Sequence, residues 1–218
     1  QGVLAADAAA RGWSFEQGSD GLFDLMRWSG TTEGVRWTAE YRRGRRRKSS
    51  GPSRAHRLRW WTEGVAGPAS PLLFMGVPRG QETPAVQLAQ GDGLFATMAQ
   101  KAAGFALDQS LDVHFGEALG RLVDARELRM VDGAALPGFI VMAADIGQGK
   151  VWLDRFGHRA AFDALVTDPA SAFSDEQHRP WVLLLGPQLS LSQPVPVRST
   201  DDLERLLRAG VALTQALR

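Results

Sequence analysis

Apolar and polar residues alternate in two neighbouring segments of the first third of the chain. Alternation with a period of two is typical of a strand with one apolar and one polar face. Residues 43–55 between the segments are rich in Gly, Ser and Pro, which favour turns. The pattern therefore predicts two paired strands joined by a long, exposed hairpin loop. The alternating apolar positions are Val35, Trp37, Ala39 and Tyr41 in the first segment and Leu58 and Trp60 in the second.

Other stretches of the chain predict further strands and helices. Short apolar or alternating stretches predict strands over 13–17, 22–26, 72–77, 139–144 and 181–185. Ala-rich or amphipathic stretches predict helices over 3–11, 94–103 and 159–166, and residues 115–128 also favour a helix. Gly12 is placed to end the first helix. Ser199 and Asp202 have the spacing of a capping box before regularly spaced leucines, which predicts a C-terminal helix over 201–217.

These elements indicate an α+β protein with mixed or antiparallel sheets and flanking helices. The turn-forming residues 78–93 favour a division into residues 1–80, a first α+β half with the basic hairpin loop 42–59, and residues 81–218, which end in the C-terminal helix. A single compact domain is the alternative. An offset of 92 residues aligns five identical pairs, which suggests two related halves that each open with a helix, a Gly cap and a strand. The pairs are Ala10/Ala102, Gly12/Gly104, Gln17/Gln109, Asp20/Asp112 and Phe23/Phe115.

The composition excludes several kinds of metal, redox and catalytic site. The 218 residues include no Cys, which excludes disulfides, thiolate zinc sites, iron–sulfur clusters and a Cys nucleophile. The histidines (His56, His114, His158 and His178) lack the spacing of a metal motif, so we expect neither a metal nor a cofactor. The apolar runs 139–144 and 181–185 are too short to span a bilayer. Because the chain begins at Gln1 rather than Met, we expect that a segment before it has been removed. Two locations are open: the bacterial cytoplasm, or a membrane to which that segment attaches the chain as a tether, signal or membrane helix.

Charge is distributed unevenly along the chain. Residues 42–59 contain nine Lys and Arg and no acid, so they carry +9 and leave +1 − 9 = −8 for the remaining residues. Such a segment suits anionic lipid or an acidic protein surface, and nucleic acid is a further candidate partner. The alternative is a solvated loop that only balances the acidic remainder. The candidate binding residues are Arg43, Arg45, Arg46, Arg47, Lys48, Arg54, Arg57, Arg59 and Trp61.

Motifs that would indicate catalysis are incomplete. Gly147-Gln-Gly-Lys150 lacks two defining positions of a phosphate-binding loop, so a tight turn between strands is the favoured interpretation. Neither a Gly-x-Ser-x-Gly elbow nor a Gly-x-Gly-x-x-Gly fingerprint is present. A hydrolase-type site assembled from Asp145, His158 and Glu63 is the enzyme alternative. We expect the two carboxylates to act as turn or capping residues and His158 to lie in a surface loop.

Several features occur in a characteristic order. They are an Ala-rich helix leading into Gly12-Trp13, a Trp- and Tyr-bearing strand with a variable loop, the strands Phe139-Ile-Val-Met and Trp181-Val-Leu-Leu-Leu, and the helix at 201–217. This order resembles a family of uncharacterised bacterial proteins of unknown function that are usually anchored by upstream membrane helices. The resemblance implies a membrane-proximal domain and assigns no activity to any residue. We therefore expect a non-catalytic interaction or scaffold domain whose contact element is 42–59.

Overall fold

The computed structural model describes residues 2–20, 23–44, 56–77, 106–120, 122–131, 136–167, 179–194, 196–197 and 199–218. The strands are β1 (Ser14–Asp20), β2 (Phe23–Thr32), β3 (Val35–Gly44), β4 (His56–Glu63), β5 (Leu72–Gly76), β6 (Arg129–Met130), β7 (Phe139–Ala143), β8 (Trp181–Leu185) and β9 (Gln188–Gln193). The helices are α1 (Gly2–Ala10), α2 (106–115), α3 (Glu117–Gly120), α4 (Ile146–Leu153), α5 (His158–Thr167) and α6 (Thr200–Ala216). These elements confirm the α+β class.

The nine strands formed by the described residues belong to one antiparallel sheet with the order β1-β2-β3-β4-β9-β8-β5-β7-β6. The predicted pairing of the two alternating segments is confirmed, because Ala39 on β3 lies opposite Trp60 on β4. Strand β9 lies between β4 and β8 and so joins strands from residues 1–80 to strands from 81–218. The sheet is therefore continuous across both segments.

Antiparallel pairing places the strand ends at two opposite ends of the sheet. Strand β3 ends and β4 begins at one of them, which we call the lower end; residues 45–55 leave from it. Strand β4 ends, β5 begins and β7 ends at the other, which we call the upper end. The tight turn at Gly186, which joins β8 to β9, also lies at the upper end.

One face of the sheet, the front face, carries the main apolar core. A single cross-strand row runs along it from β1 to β7 and consists of Phe15, Trp28, Ala39, Trp60, Leu191, Val182, Phe74 and Val141. Helix α6 covers β3, β4 and β9, and Phe162 of α5 stacks on Phe74 with ring centroids 3.8 Å apart. The predicted leucines of the C-terminal helix are buried here, which follows from their helical spacing.

The opposite or back face carries a smaller core under helix α2. Leu111 and Phe115 of α2 pack with Leu73 of β5 and Leu183 of β8. Gly116, with a φ of +84°, ends α2 and donates its N–H to the carbonyl oxygen of Asp112 at 3.0 Å. The sheet is thus covered on both faces around β8 and β5.

Three local predictions are wrong. Residues 147–150 lie inside α4 and do not form a turn between strands. The strand predicted after Gly104 as part of the repeat is instead helix α2, so the aligned segments 14–20 and 106–112 differ in secondary structure. The basic hairpin loop is shorter than 42–59, because the strands include residues 42–44 and 56–59. The helix predicted over 94–103 lies outside the described residues.

Candidate functional site

The candidate binding residues separate into two groups. Arg43 lies at the end of β3, and Arg57, Arg59 and Trp61 lie on β4. The others (Arg45, Arg46, Arg47, Lys48 and Arg54) lie in residues 45–55, outside the described part of the chain. The strand-borne residues belong to a folded surface. The alternating pattern predicts the strand position of Arg57, Arg59 and Trp61, but it places Arg43 in the exposed loop, which is wrong.

Glu40 is the centre of a charge cluster on the back face. One cross-strand row of this face consists of Glu16, Arg27, Glu40, Arg59, Ser192 and Trp181. The Glu40 carboxylate accepts from Arg57 Nη2 at 2.9 Å and from Arg27 Nη2 at 2.9 Å. Glu40 and Arg57 are both buried, and the Arg27 side chain is half exposed. A buried carboxylate therefore holds together two strands that flank its own.

The pKa values in this cluster shift in one direction for both signs of charge. Burial acts to raise the pKa of Glu40, but the hydrogen bond from Arg27 and the charges of Arg59 and Arg57 outweigh it, so this pKa is lowered. Burial lowers the pKa of Arg57, and it lowers the pKa of Arg59 to about 10, because Glu40 compensates only in part. The charged form of Glu40 is stabilised by three guanidinium groups, which lowers its pKa. The charged form of each guanidinium is destabilised by the other cations nearby, which lowers the arginine pKa values.

The same arginines bind the C-terminal end of helix α2. Arg59 Nη1 donates to the carbonyl oxygen of Phe115, and Arg57 Nη1 donates to that of Asp112 at 3.4 Å. Cations at a helix C-terminus interact favourably with its exposed carbonyl groups. The Arg59 guanidinium also lies 4.1 Å from the Trp61 ring centroid, and Trp61 is half-buried. These contacts give Arg57 and Arg59 a role in fixing α2 to the sheet.

His114 is a buried part of this interface that the sequence did not single out. Its ring stacks on Trp181, with centroids 4.1 Å apart and an angle of 7° between the planes. Burial lowers the pKa of His114 to about 3, although a hydrogen bond with the backbone of Ser192 acts in the opposite direction. Its Nδ1 atom is buried and has no hydrogen-bond partner among the described residues. His114 is therefore neutral at ordinary pH.

Two contacts organise the base of the basic hairpin. Arg43 Nη2 lies 3.0 Å from Asp24 Oδ2 on β2, and about half of the Arg43 side chain is exposed. His56 Nδ1 and the Tyr41 hydroxyl form a hydrogen bond of 2.6 Å, and the Tyr41 side chain is buried. Burial and the charge of Arg43 lower the pKa of His56. Arg43, which precedes the last described residue before 45–55, and His56, the first described residue after it, are thus held by side-chain contacts.

The dispersed catalytic candidates are not joined. Asp145 is the N-cap of α4 and accepts from the Gln148 N–H at 2.9 Å, so its expected capping role is confirmed. Glu63 is exposed at the end of β4. His158 was expected in a surface loop, which is wrong: it begins α5, is buried, and forms a 2.7 Å hydrogen bond to the carbonyl oxygen of Trp152. In the described part of the chain, no hydrogen bond or ion pair connects any two of these three residues.

A groove lies at the upper end of the sheet. It has a volume of about 350 Å³. Its wall from the β4–β5 connection is made of Gly67, Pro68 and Ala69, and its wall from α4 and the following turn is made of Gly147, Gln148, Val151, Trp152 and Arg155. Trp152 Nε1 donates to the carbonyl oxygen of Ala66 at 2.7 Å, which ties the two walls together. The groove contains no pair of facing titratable groups among these lining residues.

The rest of the described chain carries few further signs of a site. Among the residues with described positions, no group of three or more His, Asp or Glu side chains is arranged to hold a metal ion. None of the described helices is both long and apolar enough to cross a bilayer. No protein-family model, curated protein or solved structure matches the chain.

Proposed function

We propose that the protein is a non-catalytic interaction domain that binds an anionic membrane surface through residues 45–55 at the lower end of its sheet. The supporting observation is that the nine basic residues of 42–59 fall into two groups with different surroundings. The four on strands have contacts within the fold, and the five in 45–55 carry +5 without an acid. Those five are Arg45, Arg46, Arg47, Lys48 and Arg54.

The strand-borne cations contribute little to this binding. Arg57 and Arg59 are held by Glu40 and by the end of α2, and Arg43 is paired with Asp24. The Arg42 guanidinium lies 3.5 Å from the Phe23 ring centroid. To reach an external anion, the buried Arg57 and the half-buried Arg59 would have to give up these contacts. The contact element is therefore narrower than the +9 segment and begins after Gly44.

An anionic bilayer fits this distribution better than a nucleic acid does. Each basic residue near an anionic membrane surface contributes about 1 kcal/mol, and residues 45–55 contain five of them. A nucleic acid is a long polyanion, and the rest of the chain, at +1 − 5 = −4 outside residues 45–55, would repel it beyond this contact. The resemblance to membrane-anchored bacterial proteins supports the same choice.

Vesicle co-sedimentation tests the proposal directly. We expect the protein to pellet with vesicles that contain about a third of phosphatidylserine, to stay in solution with phosphatidylcholine alone, and to be released by salt. Replacing Arg45, Arg46, Arg47 and Lys48 by Gln should abolish pelleting. Binding that survives this change would contradict the proposal, and salt-sensitive binding to single-stranded DNA without vesicle binding would favour the nucleic-acid alternative.

A charge-matched control separates this contact from net charge. Arg36, Arg126, Lys150 and Arg155 are exposed basic residues outside 42–59. Replacing these four by Gln changes the net charge by the same amount, and we expect vesicle binding to be retained. Equal losses in the two quadruple variants would mean that total charge, and not residues 45–55, determines binding.

A further inference from the structure

Strand β1 forms one edge of the sheet, and its outer side has no neighbouring strand among the described residues. All seven of its residues, Ser14–Asp20, pair with residues of β2 without a bulge. Across the described chain, the backbone of β1 forms hydrogen bonds with β2 and with no other segment. In an antiparallel strand about half of the N–H and C=O groups point away from the neighbour. The outer side of β1 therefore presents a row of open backbone donors and acceptors.

This edge is accessible and lacks the usual protection. Glu16, Gln17, Gly18 and Ser19 are all exposed. Long edge strands are commonly blunted by Lys, Pro or a bulge, and β1 has none of the three. The strand at the other edge, β6, contains only two residues and so offers little backbone to a partner. Within the described sheet, the β1 edge is thus the one that can accept a further strand of ordinary length.

Phe15 and Glu16 determine which side chains suit an added strand. Successive residues of a strand face opposite sides of a sheet, so Phe15 ends the apolar front-face row and Glu16 ends the charged back-face row. Phe15 is half-buried, with its ring centroid 5.4 Å from that of Trp28. An apolar residue opposite Phe15 would lengthen the front-face row and cover more of this ring.

Glu16 is a carboxylate without a partner in the described part of the chain. Its cross-strand neighbour on β2 is Arg27, but Arg27 Nη2 donates to Glu40. Among the described residues, Glu16 takes part in no ion pair or hydrogen bond. The charges of this back-face row alternate in sign from β4 to β1, so a cation opposite Glu16 would continue the alternation. A Lys or Arg at that position of an added strand would gain an opposite-charge pair.

The same carboxylate disfavours a second copy of this chain as the added strand. Two copies of β1 joined antiparallel about a two-fold axis place residues of the same face opposite each other. The register centred on Gln17 puts the two Glu16 side chains diagonal to each other, and the register centred on Glu16 puts them directly opposite. Because β1 contains no Lys or Arg, neither register supplies a cation. The charges therefore favour a basic strand from a different protein.

We propose that the outer side of β1 binds an extended segment of another protein, with a Lys or Arg opposite Glu16 and an apolar residue, adjacent to it in sequence, opposite Phe15. The segment lengthens the sheet by one strand. Hydrogen bonds between the two main chains supply the affinity, and the two side-chain pairs supply the specificity. This contact is separate from the proposed membrane contact, because residues 45–55 follow β3, which lies two strands away from β1.

Fluorescence anisotropy with a labelled synthetic peptide tests the contact. The probe is Thr-Val-Thr-Val-Lys-Val-Thr-Val-Thr, which carries Lys on one face and Val on the other when extended, and the comparison peptide has Glu in place of Lys. We expect the Lys peptide to bind about tenfold more tightly, because it replaces a like-charge pair with Glu16 by an opposite-charge pair. Equal affinities, or no binding of either peptide, would overturn the proposal.

A charge exchange tests whether Glu16 is the residue that selects the peptide. Glu16→Lys should reverse the preference, so that the Glu peptide binds more tightly than the Lys peptide. Glu127→Lys is the matched control, because Glu127 is exposed just before β6 at the other edge of the sheet and the change in net charge is the same. We expect this variant to keep the preference for the Lys peptide. The same response in both variants would mean that net charge decides, and β1 would then not be the site.

Amide hydrogen exchange tests whether the peptide joins the sheet through its backbone. Binding of the Lys peptide should slow the exchange of amides within Ser14–Asp20 at least about tenfold and leave the amides of β6 unchanged. Unchanged exchange in β1 despite binding would exclude strand addition. Exchange that slows with protein concentration alone, without peptide, would assign this edge to a second copy of the chain and so overturn the proposal.

Discussion

The indole ring of Trp60 lies against Gly210 of helix α6 so closely that a side chain at position 210 would overlap it. A Cβ at this position would lie 2.6 Å from both Cδ2 and Cε3 of Trp60. The ring cannot move aside easily, because Trp60 is fully buried in the row of front-face residues. This contact sets the distance between the C-terminal helix and the centre of the sheet.

Gly210→Ala should therefore lower the free energy of unfolding by about 1–3 kcal/mol, because overpacking outweighs the better helix propensity of Ala. Gly147→Ala in α4 is the matched control: a Cβ there would meet only Asp145 Oδ1, at 3.4 Å. We expect this second variant to be neutral or to gain up to about 1 kcal/mol. Urea denaturation measures the free energy of unfolding of both variants. A Gly210→Ala protein as stable as the unchanged protein would contradict the close contact.

Removing the charge of Glu40 should be among the most damaging conservative changes on the back face. Glu40→Gln leaves Arg57 buried beside other cations, and removing one partner of such a buried ion pair costs about 3–5 kcal/mol. Glu16→Gln is the control, because Glu16 lies in the same cross-strand row but is exposed, and we expect a change within about 0.5 kcal/mol. Similar unfolding midpoints for the two variants would show that Glu40 is not the centre of the cluster.

A double-mutant cycle separates the ion pair from its surroundings. Arg57→Met removes the buried cation as well, so the Glu40→Gln change should cost much less in that background than in the unchanged protein. Additive effects of the two changes would mean that Glu40 stabilises the fold mainly through Arg27, whose side chain is half exposed.

Acid should destabilise the fold through His114 before it affects the carboxylates. The pKa of His114 is about 3 in the folded chain and near 6.5 in the unfolded chain, so below pH 6.5 the unfolded state binds more protons. Stability is therefore complete above about pH 6.5 and falls toward pH 3, by up to about 1.4 kcal/mol per pH unit. The pKa values of His158 and His56 are also lowered by burial and add to the slope.

His114→Phe keeps an aromatic ring against Trp181 and should flatten this dependence between pH 6.5 and 4.5. Urea denaturation at several pH values in this range measures the slope. A variant with the slope of the unchanged protein would show that His114 is protonated without unfolding, and so that it is accessible to water in the folded state.

Because Arg43 is paired with Asp24, we expect substitutions of Arg43 and of Arg45 to affect vesicle binding unequally. Arg43→Gln should weaken binding less than Arg45→Gln, because Asp24 already offsets the charge of Arg43. Asp24→Asn should strengthen binding by up to about fivefold, which corresponds to one more cation near the anionic surface. Co-sedimentation measures the vesicle affinity of the three variants. Weaker vesicle binding by the Asp24→Asn protein would mean that Arg43 needs its partner to keep the ends of β3 and β4 folded.

Periodicity predicted the β3–β4 pair and the C-terminal helix because both depend mainly on burial of a regular apolar pattern. Gly147 and Gly149 instead make the sequence predict a turn where the structure has helix α4. In the structure, Gly149 is required by packing and does not form a turn. A Cβ at position 149 would lie 2.8 Å from the Cβ of Ala143, so only glycine lets α4 approach β7 this closely. A packing requirement of this kind involves residues from two elements and leaves no local signal.

The candidate site shows the same limit. Arg57 and Arg59 look like part of a solvated basic run, because residues 42–62 contain no acid. Their carboxylate, Glu40, comes from the preceding strand, and only the register that places Glu40 opposite Arg59 reveals it. Strand β9 was not predicted either, since its alternation of Leu189 and Leu191 with serines is short. The relation between the two halves of the chain stays a prediction. One pair of aligned segments does not support it, because residues 14–20 form a strand and residues 106–112 form a helix.

The position of β9 also determines when this sheet can form as the chain is synthesised. Strand β4 is complete once residue 63 has been made, but its neighbour β9 ends only at residue 193. Until then the edge of β4 has no partner in the native sheet, and α6, which covers Trp60, has not yet left the ribosome. Contacts so distant in sequence form slowly, and an open strand edge is a site of aggregation. The apolar face of the first four strands is therefore without its native cover until the last quarter of the chain has been made.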